Sequence, residues 1–201
     1  MREGIIFIIS GPSGGGKTTL VKKVLESSEN LMFSVSYTTR KPRGGEVDGK
    51  DYKFVSEKEF RKMIGEGKFV EYAEVHDQLY GTPVDLLEEA TSKGIDLILD
   101  IDVQGASQIR NKYDSGVYCF VLPSSFRILK ERLSKRASEN VSEAERRLSE
   151  ARKEMEDIDY YDYIIINDSL DEAVNCLASV ITAARCENEK VLVRIDKDYF
   201  S

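Results

Sequence analysis

A glycine-rich segment near the start of the chain has the residue types and the spacing of a phosphate-binding loop. Residues 11–18 are GPSGGGKT, which match the pattern G-x-x-x-x-G-K-[ST] at every fixed position. Glycines let consecutive backbone N–H groups turn toward phosphate oxygens, and the amino end of a following helix adds positive potential there. In such a loop Lys17 would contact the terminal phosphates, and the Thr18 hydroxyl would ligate Mg²⁺. The segment therefore predicts a site for a magnesium-bound nucleotide.

The elements on either side of this loop are those that it requires. Residues 5–9 are all apolar, which is typical of a buried parallel strand, and residues 19–25 have helical spacing. Strand and helix patterns alternate along most of the chain, which predicts an α/β fold of the P-loop NTPase type, with a parallel sheet flanked by helices. The later strands are predicted at 95–102, 117–122 and 163–166, and the later helices at about 83–93, 124–156 and 170–187.

A block between residues 34 and 82 interrupts the alternation and predicts an inserted small α/β lobe. Its helix is expected to start at a capping box formed by Ser56 and Glu59 and to end at Gly67. Its strands are predicted at 33–40, 52–55, 69–75 and around 80–82. These patterns divide the chain into a core (1–33, 83–123 and 157–201), the inserted lobe (34–82) and a charged helical lid (124–156).

Two carboxylates lie at the end of the strand predicted at 95–102. Because side chains alternate along a strand, Asp100 and Asp102 are expected on the same face, at its carboxyl end. Ligands bind at that end in open α/β sheets. An apolar strand that ends in Asp and follows a phosphate-binding loop is typical of the Walker B pattern, in which a carboxylate holds Mg²⁺ directly or through water.

Six arginines lie in the charged segment assigned to the lid. An arginine on a charged helical face is often merely solvated, but this segment lies where a phosphate-loop kinase places a mobile lid. Arg136 and Arg147 also flank a helix break predicted at residues 140–142, which would turn two helices toward one site. Arginines on a lid can neutralise a transferring phosphoryl group while the closed lid excludes water. The six are Arg127, Arg132, Arg136, Arg146, Arg147 and Arg152.

The composition disfavours several other classes of protein. The 201-residue chain has a net charge of −7, which argues against a general nucleic-acid binder, so a small phosphorylated molecule is the expected partner. Cys119, Cys176 and Cys186 lack C-x-x-C spacing, so neither a disulfide framework nor a zinc site is expected. The first apolar segment is short and leads directly into the loop, so it is expected to be neither a signal peptide nor a membrane span. A cytoplasmic location is expected.

Four segments of the sequence resemble the guanylate kinase family, and the resemblance extends along nearly the whole chain, to about Arg185. The most specific segment is SVSYTTRKPRGGEVDGKDY at residues 34–52, because S-V-S-x-T-T-R-x-P-R-x-G-E-x-x-G-x-x-Y marks the GMP-binding lobe of that family. The other three are residues 11–19, 98–105 and 166–168. The resemblance implies transfer of a phosphoryl group from ATP to GMP, and to dGMP, with Mg²⁺ and by direct in-line attack.

The resemblance also implies roles for individual residues. ATP would be bound by Gly11, Ser13, Gly14, Gly15, Gly16, Lys17, Thr18, Thr19 and Asn167. GMP would be bound by Ser36, Arg40, Arg43, Glu46, Tyr52, Glu71, Tyr80, Thr82 and Asp100. Catalysis would depend on Lys17, Arg40, Arg43, Arg132, Arg136 and Arg147. Mg²⁺ would be held by Thr18 and Asp102.

The chemistry of these residue types supports part of that assignment independently. Arg40 and Arg43 lie three residues apart around a proline turn, and a guanidinium fork suits a phosphate dianion better than an ammonium group does. Glu71 lies in an apolar strand, where a buried carboxylate requires a partner such as the edge of guanine. Tyr52 and Tyr80 fit the phosphate site and an aromatic core of the lobe equally well.

Two other functions stay open at this point. Another small-molecule kinase of the same fold, for instance one that acts on a ribose bisphosphate, would have no use for Glu71. A non-catalytic guanylate-kinase-like module that binds peptides would tend to have a degraded loop, whereas Lys17 and Thr18 are present. The single histidine, His76, has no second histidine or cysteine positioned to share a metal and receives no role. The choice between monomer and homo-oligomer is undecided. Residues 191–195 have the pattern of a strand that could extend a sheet edge, pair between subunits or stay unstructured.

Overall fold

The computed structural model describes residues 2–113, 115–136 and 141–187, which form two β-sheets and the helices packed against them. The strands are β1 (Ile6–Ser10), β2 (Leu31–Phe33), β3 (Tyr37–Thr38), β4 (Lys53–Phe54), β5 (Phe69–Val75), β6 (Gln78–Pro83), β7 (Asp96–Asp100), β8 (Val117–Leu122) and β9 (Tyr163–Ile166). The helices are α1 (Lys17–Ser27), α2 (Glu57–Gly65), α3 (Val84–Ser92), α4 (Val103–Lys112), α5 (Phe126–Arg136), α6 (Val141–Glu154), a 3₁₀ helix (Met155–Tyr160) and α7 (Leu170–Arg185).

The larger sheet has the order β2-β7-β1-β8-β9, and all of its neighbouring strands are parallel. Strands of a parallel sheet that is covered on both faces have near-continuous apolar sequences, and β1 is buried along its whole length. Helices α1 and α7 pack around Phe7 and Ile9 on one face, and α3 and α4 pack around Ile6 and Ile8 on the other. The predicted α/β fold, with a parallel sheet flanked by helices, is confirmed.

The smaller sheet lies between β2 and α3 along the chain and has the order β4-β3-β6-β5. Strands β5 and β6 form an antiparallel hairpin whose two turn residues, His76 and Asp77, have φ values of 52° and 59°. Positive φ at both positions is the signature of the tight turn that best fits the twist of a hairpin. Helix α2 covers the sheet through Phe60, which stacks on Phe69 with a ring-centroid distance of 4.5 Å.

One predicted strand is wrong because the chain changes sheets within it. The alternating pattern at 33–40 predicts a single strand, but β2 ends at Phe33 in the larger sheet and β3 begins at Tyr37 in the smaller one. The backbone N–H of Ser34 still donates to the carbonyl of Ile98 in the larger sheet. The lobe therefore begins where the chain leaves the larger sheet, immediately after Ser34.

The strand predicted at 95–102 is also too long. Strand β7 ends at Asp100, and Asp102 is the N-cap of α4, whose Oδ1 accepts a hydrogen bond from the backbone N–H of Gly105 at 3.0 Å. Asp is among the residues preferred at an N-cap, because its carboxylate can accept a hydrogen bond from a backbone N–H of the first helical turn. A helix start at Asp102 is therefore favoured over a continued strand. Asp100 and Asp102 therefore do not share a strand face.

The start of the lobe helix agrees with the prediction from the capping box. Ser56 is the N-cap of α2, and its hydroxyl accepts a hydrogen bond from the backbone N–H of Glu59 at 3.2 Å. The lid contains the helices α5 and α6, and α6 begins at Val141. Residues 137–140, which include part of the predicted helix break, and the strand pattern at 191–195 lie outside the described residues. Within the described part of the chain, no helix is long and apolar enough to cross a membrane.

A buried carboxylate joins distant parts of the chain at the amino-terminal edge of the larger sheet. Asp96 has no exposed side-chain surface, and its two oxygens accept hydrogen bonds from both terminal nitrogens of Arg2 at 2.6 and 2.9 Å. The same carboxylate accepts from the backbone N–H of Ile5 at 2.8 Å and from Nε of Arg185 at 2.7 Å. Burial alone would raise the pKa of Asp96, but these hydrogen bonds outweigh it and hold the pKa below its ordinary value. We call this group the Asp96 clasp.

Candidate active site

A cavity of about 480 Å³ lies at the carboxyl-terminal edge of the larger sheet. Four segments that are distant in the chain form most of its walls. They include Gly11–Gly14 and Gly16–Thr19 of the phosphate-binding loop, Asp100–Gln104 after β7, Ser36, Tyr52, Glu71 and Tyr80 of the lobe, and Glu150, Lys153 and Glu154 of the lid. The phosphate-binding loop and the carboxylate-bearing wall of the lobe therefore face the same cavity, an arrangement that suits the binding of two ligands side by side.

The conformation of the loop depends on glycines with positive φ, at Gly11, Gly14 and Gly16. Gly11 and Gly16 have φ values of 129° and 88°, which side chains rarely allow. A Cβ at Gly11 would lie 2.2 Å from the carbonyl oxygen of Val121, and a Cβ at Gly16 would lie 2.4 Å from Nδ2 of Asn167. Asn167 in turn donates from Nδ2 to the carbonyl of Gly15 at 2.8 Å. Asn167, predicted to lie near the ATP base, thus also fixes the shape of the loop.

The first turn of α1 is arranged to bind an anion. Gly16 is its N-cap, and the helix has no side-chain cap and no acidic residue in its first turn, so its leading N–H groups are left for another acceptor. Nζ of Lys17 donates to the carbonyls of Gly11 at 2.5 Å and Pro12 at 3.3 Å, which holds the ammonium group against the loop. The loop therefore presents backbone N–H groups and a lysine to one region of the cavity.

Hard oxygen donors suited to a divalent cation lie beside the loop. The Thr18 hydroxyl donates to Oδ2 of Asp100 at 2.7 Å. Burial raises the pKa of Asp100 above its ordinary value, although the Lys17 charge and the Thr18 hydroxyl oppose the shift. Both oxygens of Asp102 accept hydrogen bonds from the start of α4, from the Gly105 N–H at 3.0 Å and the Gln104 side chain at 3.1 Å.

These donors fit Mg²⁺ better than a metal that needs an all-protein cage. Within the described ranges, no group of three His, Cys, Asp or Glu residues could hold a metal ion. Mg²⁺ is usually held by one or two protein oxygens and by substrate phosphates. Thr18 and Asp100 provide such a pair, and Asp102, which caps α4 through Oδ1, also lines the cavity.

The predicted phosphate-binding residues of the lobe form a connected group. Arg40 makes a two-point ion pair with Glu46, at 2.8 and 2.9 Å, and its guanidinium lies 5.3 Å from the ring centroid of Tyr52. Tyr52 and Tyr80 meet edge to face at 6.0 Å, and both line the cavity. The backbone N–H of Arg43 also donates to Glu46, at 2.7 Å, whereas its side chain is exposed. The sequence left open whether Tyr52 and Tyr80 lie at the phosphate site or in the core of the lobe. The structure places both tyrosines at the cavity wall.

Glu71 is the buried carboxylate of the lobe wall. Its side chain lies in β5 with 2% of the residue exposed, and Oε1 accepts a hydrogen bond from the Thr82 hydroxyl at 2.6 Å. Burial raises the pKa of Glu71 to about 7, and the nearby Asp102 carboxylate adds to the rise, while the Thr82 hydrogen bond opposes it. Ser36, which is also buried, lines the same wall. The raised pKa means that the protein stabilises the ionised carboxylate incompletely, so a ligand that offers hydrogen-bond donors would stabilise that form.

The lid arginines occupy different positions. Nη2 of Arg132 donates to the carbonyl of Asn167 at 2.8 Å, which places this arginine beside the phosphate-binding loop. Arg147 is partly buried on α6. The side chain of Arg136 lies outside the described residues, although its backbone ends α5. Among the described lid residues, it is Glu150, Lys153 and Glu154 that form part of the cavity wall.

Comparison with known proteins decides the family. Residues 4–184 match the family model described as guanylate kinase. The chain belongs to the guanylate kinase family. It is 50% identical to the guanylate kinase of Geobacter metallireducens over 198 residues, which cover 98% of each chain. It is 44% identical to the guanylate kinase of Thermotoga maritima over 97% of this chain and 93% of the relative.

A solved structure leads to the same conclusion. The crystal structure of guanylate kinase from Anaplasma phagocytophilum aligns with a TM-score of 0.79 at 32% identity, over 93% of this chain and 89% of that one. Both the predicted family and the predicted enzyme, an ATP:GMP phosphotransferase, are therefore confirmed. The roles of the individual site residues stay predictions.

The structure of this guanylate kinase adds a cavity residue that sequence reasoning missed. Glu154 lies at the end of α6, and burial raises its pKa to about 7, opposed by the charge of Lys17. The sequence gives little indication of a role for Glu154, because this residue is one of many charged residues in a helical segment whose side chains are expected to face solvent. Only the packing of the lid end against the loop distinguishes it.

A second feature without a sequence signal is a contact between the lobe and the lid. Nδ1 of His76, in the β5–β6 turn, lies 3.1 Å from Oε2 of Glu150 on α6. In the same turn Asp77 lies 3.8 Å from a guanidinium nitrogen of Arg146. The left-handed turn thus places two adjacent residues of the lobe against the lid helix. We call this the turn–lid contact.

Proposed function

We propose that this guanylate kinase transfers the terminal phosphoryl group of Mg²⁺-bound ATP directly to a phosphate oxygen of GMP, and that Glu71 selects guanine. The observation that supports this most is the single cavity that has the phosphate-binding loop on one wall and the buried Glu71 carboxylate on another. A loop that binds triphosphate and a wall that recognises a base must face the same space if two nucleotides are to react.

The residues around the loop would hold ATP. Lys17 would move its ammonium group from the carbonyls of Gly11 and Pro12 to the phosphates, which offer stronger acceptors. Thr18 and Asp100 would hold Mg²⁺, which when bound neutralises charge on the phosphates. This differs from the pair named by resemblance, because Thr18 is hydrogen-bonded to Asp100, whereas Asp102 caps α4.

The lobe would hold GMP at both ends. Arg40, oriented by Glu46, would bind the phosphate together with Arg43 and the hydroxyls of Tyr52 and Tyr80. An arginine that is held by a carboxylate and lies over an aromatic ring keeps its fork in one place, which reduces the entropy lost on binding.

The guanine end would be recognised by the buried wall. Guanine carries N1–H and N2–H₂ as adjacent donors, which one carboxylate can accept together, whereas adenine has an unprotonated N1 at that position. Glu71 would accept from these donors, with Ser36 and Thr82 beside it. These contacts all go to the base or the phosphate, so removal of the 2′-hydroxyl removes none of them. dGMP is therefore proposed as a second substrate.

Phosphoryl transfer needs no general base in this proposal. The attacking phosphate of GMP is already anionic, so the protein must position it and offset its charge. Lys17 would do so at the ATP phosphates, and Arg40 and Arg43 would do so at the GMP phosphate. The lid arginines Arg132, Arg136 and Arg147 would add positive charge when both nucleotides are bound.

The test compares wild type with Glu71→Gln in a coupled ADP-release assay, using ATP with GMP, dGMP, AMP or UMP. We expect the wild type to use GMP and dGMP and to reject AMP by roughly 10⁴ in kcat/KM, because a buried carboxylate without donors is left unpaired. In Glu71→Gln the GMP-to-AMP ratio should fall at least tenfold, while the KM for ATP stays constant. An unchanged ratio in the variant would remove Glu71 from base recognition.

A further inference from the structure

A glycine in the first turn of α4 lies unusually close to the Glu71 carboxylate. A Cβ built on Gly105 would lie 2.5 Å from Oε2 of Glu71 and 3.0 Å from its Cδ. The same Cβ would lie 3.3 Å from Oδ1 of Asp102. Real Cβ atoms do not approach an oxygen to 2.5 Å, so any side chain at position 105 would displace the carboxylate.

The backbone does not explain the glycine at this position. Gly105 is helical and is not among the residues with positive φ. Within a helix, glycine costs about 1 kcal/mol relative to alanine. Gly65, which lies in α2, gives a contrast, because a Cβ there would have no heavy atom within 4 Å. The absent side chain at Gly105 therefore provides space rather than backbone freedom.

The backbone around Glu71 is held so that it cannot move away from α4. Gln108 of α4 bonds to both backbone polar groups of Tyr72, accepting from its N–H at 3.2 Å and donating to its carbonyl at 2.7 Å. Lys112 of the same helix donates to the carbonyl of Val70 at 2.5 Å. These bonds fix β5 to α4 on both sides of Glu71 in the chain. A group added at position 105 would therefore move the Glu71 side chain and not the strand.

The opposite side of the carboxylate is fixed as well. Oε1 accepts from the Thr82 hydroxyl at 2.6 Å, and Glu71 is paired with Thr82 across the β5–β6 ladder. The carboxylate thus lies between a hydroxyl on one side and the first turn of α4 on the other. Displacing Oε2 would rotate the plane in which the carboxylate accepts hydrogen bonds.

We propose that Gly105 is a positioning residue for base recognition, because its missing side chain sets the orientation in which Glu71 meets guanine. This inference rests on the proposed role of Glu71. Gly105 itself touches no part of the nucleotide in this proposal. Its effect is expected at the GMP base and not at ATP.

The experiment uses Gly105→Ala, with Gly65→Ala as the matched control for a glycine-to-alanine change inside a helix. In Gly105→Ala we expect the KM for GMP to rise about 10- to 100-fold and the GMP-to-AMP ratio to fall, with the KM for ATP unchanged. Gly65→Ala should leave all three values as in wild type. If Gly105→Ala has the wild-type KM for GMP and the wild-type ratio of kcat/KM for GMP to kcat/KM for AMP, the inference is overturned.

Two further variants separate this inference from the proposed function and from misfolding. If Glu71→Gln lowers the GMP-to-AMP ratio of kcat/KM but Gly105→Ala does not, only the inference about Gly105 fails. An unchanged ratio in Glu71→Gln refutes the role of Glu71 itself. Glu71→Ala removes the group with which a Cβ at position 105 would collide. If Gly105→Ala lowers Tm in the wild type, it should not do so in the Glu71→Ala background. An equal loss of Tm in both backgrounds would place the collision elsewhere and overturn the inference.

Discussion

Replacing Asp96 by Asn should destabilise the fold without affecting catalysis. The change keeps the shape but removes the negative charge of the Asp96 clasp, so the guanidinium groups of Arg2 and Arg185 would face a neutral amide. Removing one partner of a buried ion pair costs about 3 to 5 kcal/mol. We expect a cost at the lower end of this range, because the side chains of Arg2 and Arg185 keep 12% and 26% of their surface exposed and can be partly hydrated.

The expected loss is therefore about 3 kcal/mol, which corresponds to a decrease in Tm of roughly 6 to 12 °C for a domain of this size. Thermal unfolding followed by circular dichroism at pH 7 would measure it. Asp159→Asn is a suitable control, because this Asp is exposed. The clasp lies at the amino-terminal edge of the sheet, opposite the cavity, so kcat and both KM values should stay at wild-type level.

The pH dependence gives a second test of the same variant. The pKa of Asp96 lies below its ordinary value, so the clasp contributes stability above the ordinary Asp value of about 4 and loses it as pH falls through the folded pKa. The difference in unfolding free energy between wild type and Asp96→Asn should be constant from pH 7 to 5 and should shrink below pH 4. A difference no larger than that of Asp159→Asn, or one that persists undiminished to pH 3, would refute this reasoning.

Two further predictions concern the cavity. Lys17→Ala should lower kcat by about 10² to 10³ or more with Tm nearly unchanged, because Lys17 acts on phosphate charge that is present only with bound nucleotide; near-normal turnover would contradict the loop assignment. The KM for GMP should fall as pH rises through 7 and level off above about pH 8, since the pKa of Glu71 is raised to about 7 and its ionised form accepts hydrogen bonds from guanine. The same raised pKa means that the wild type loses stability as pH rises from the ordinary Glu value of about 4 to 7, so Glu71→Gln should have the higher Tm at pH 8. A GMP KM profile identical in wild type and Glu71→Gln would assign the titration to the GMP phosphate alone.

The features that could be predicted from the sequence are those with a local signature. The loop at residues 11–18 is recognisable because its chemistry requires glycines, a lysine and a hydroxyl at fixed spacing between a strand and a helix. Helix α2 could be placed from Ser56 and Glu59, since an N-cap is a contact between residues three apart. In both cases the residues that determine the structure are neighbours in the chain.

The features that could not be predicted depend on contacts between distant residues. The alternation at 33–40 is the same whether the chain stays in one sheet or passes to another, so it could not show that β2 and β3 belong to different sheets. From the sequence, Asp96 is simply a polar residue at the start of a predicted strand. Its burial could not be predicted, because its partners Arg2 and Arg185 are 94 and 89 residues away in the chain. The space left by Gly105 has meaning only once Glu71 lies beside it.

The turn–lid contact has a consequence for the energetics of the two substrates. The lobe would carry GMP and the lid would close over the phosphates. The contacts of His76 with Glu150 and of Asp77 with Arg146 therefore make the position of the lobe depend on the position of the lid. Thermodynamic linkage is reciprocal: the factor by which an unreactive ATP analogue changes GMP affinity must equal the factor by which GMP changes affinity for the analogue. Partly exposed ion pairs contribute up to about 1 kcal/mol, so this contact can supply at most roughly a fivefold cooperativity. The enzyme can thus couple its two binding equilibria through a two-residue turn.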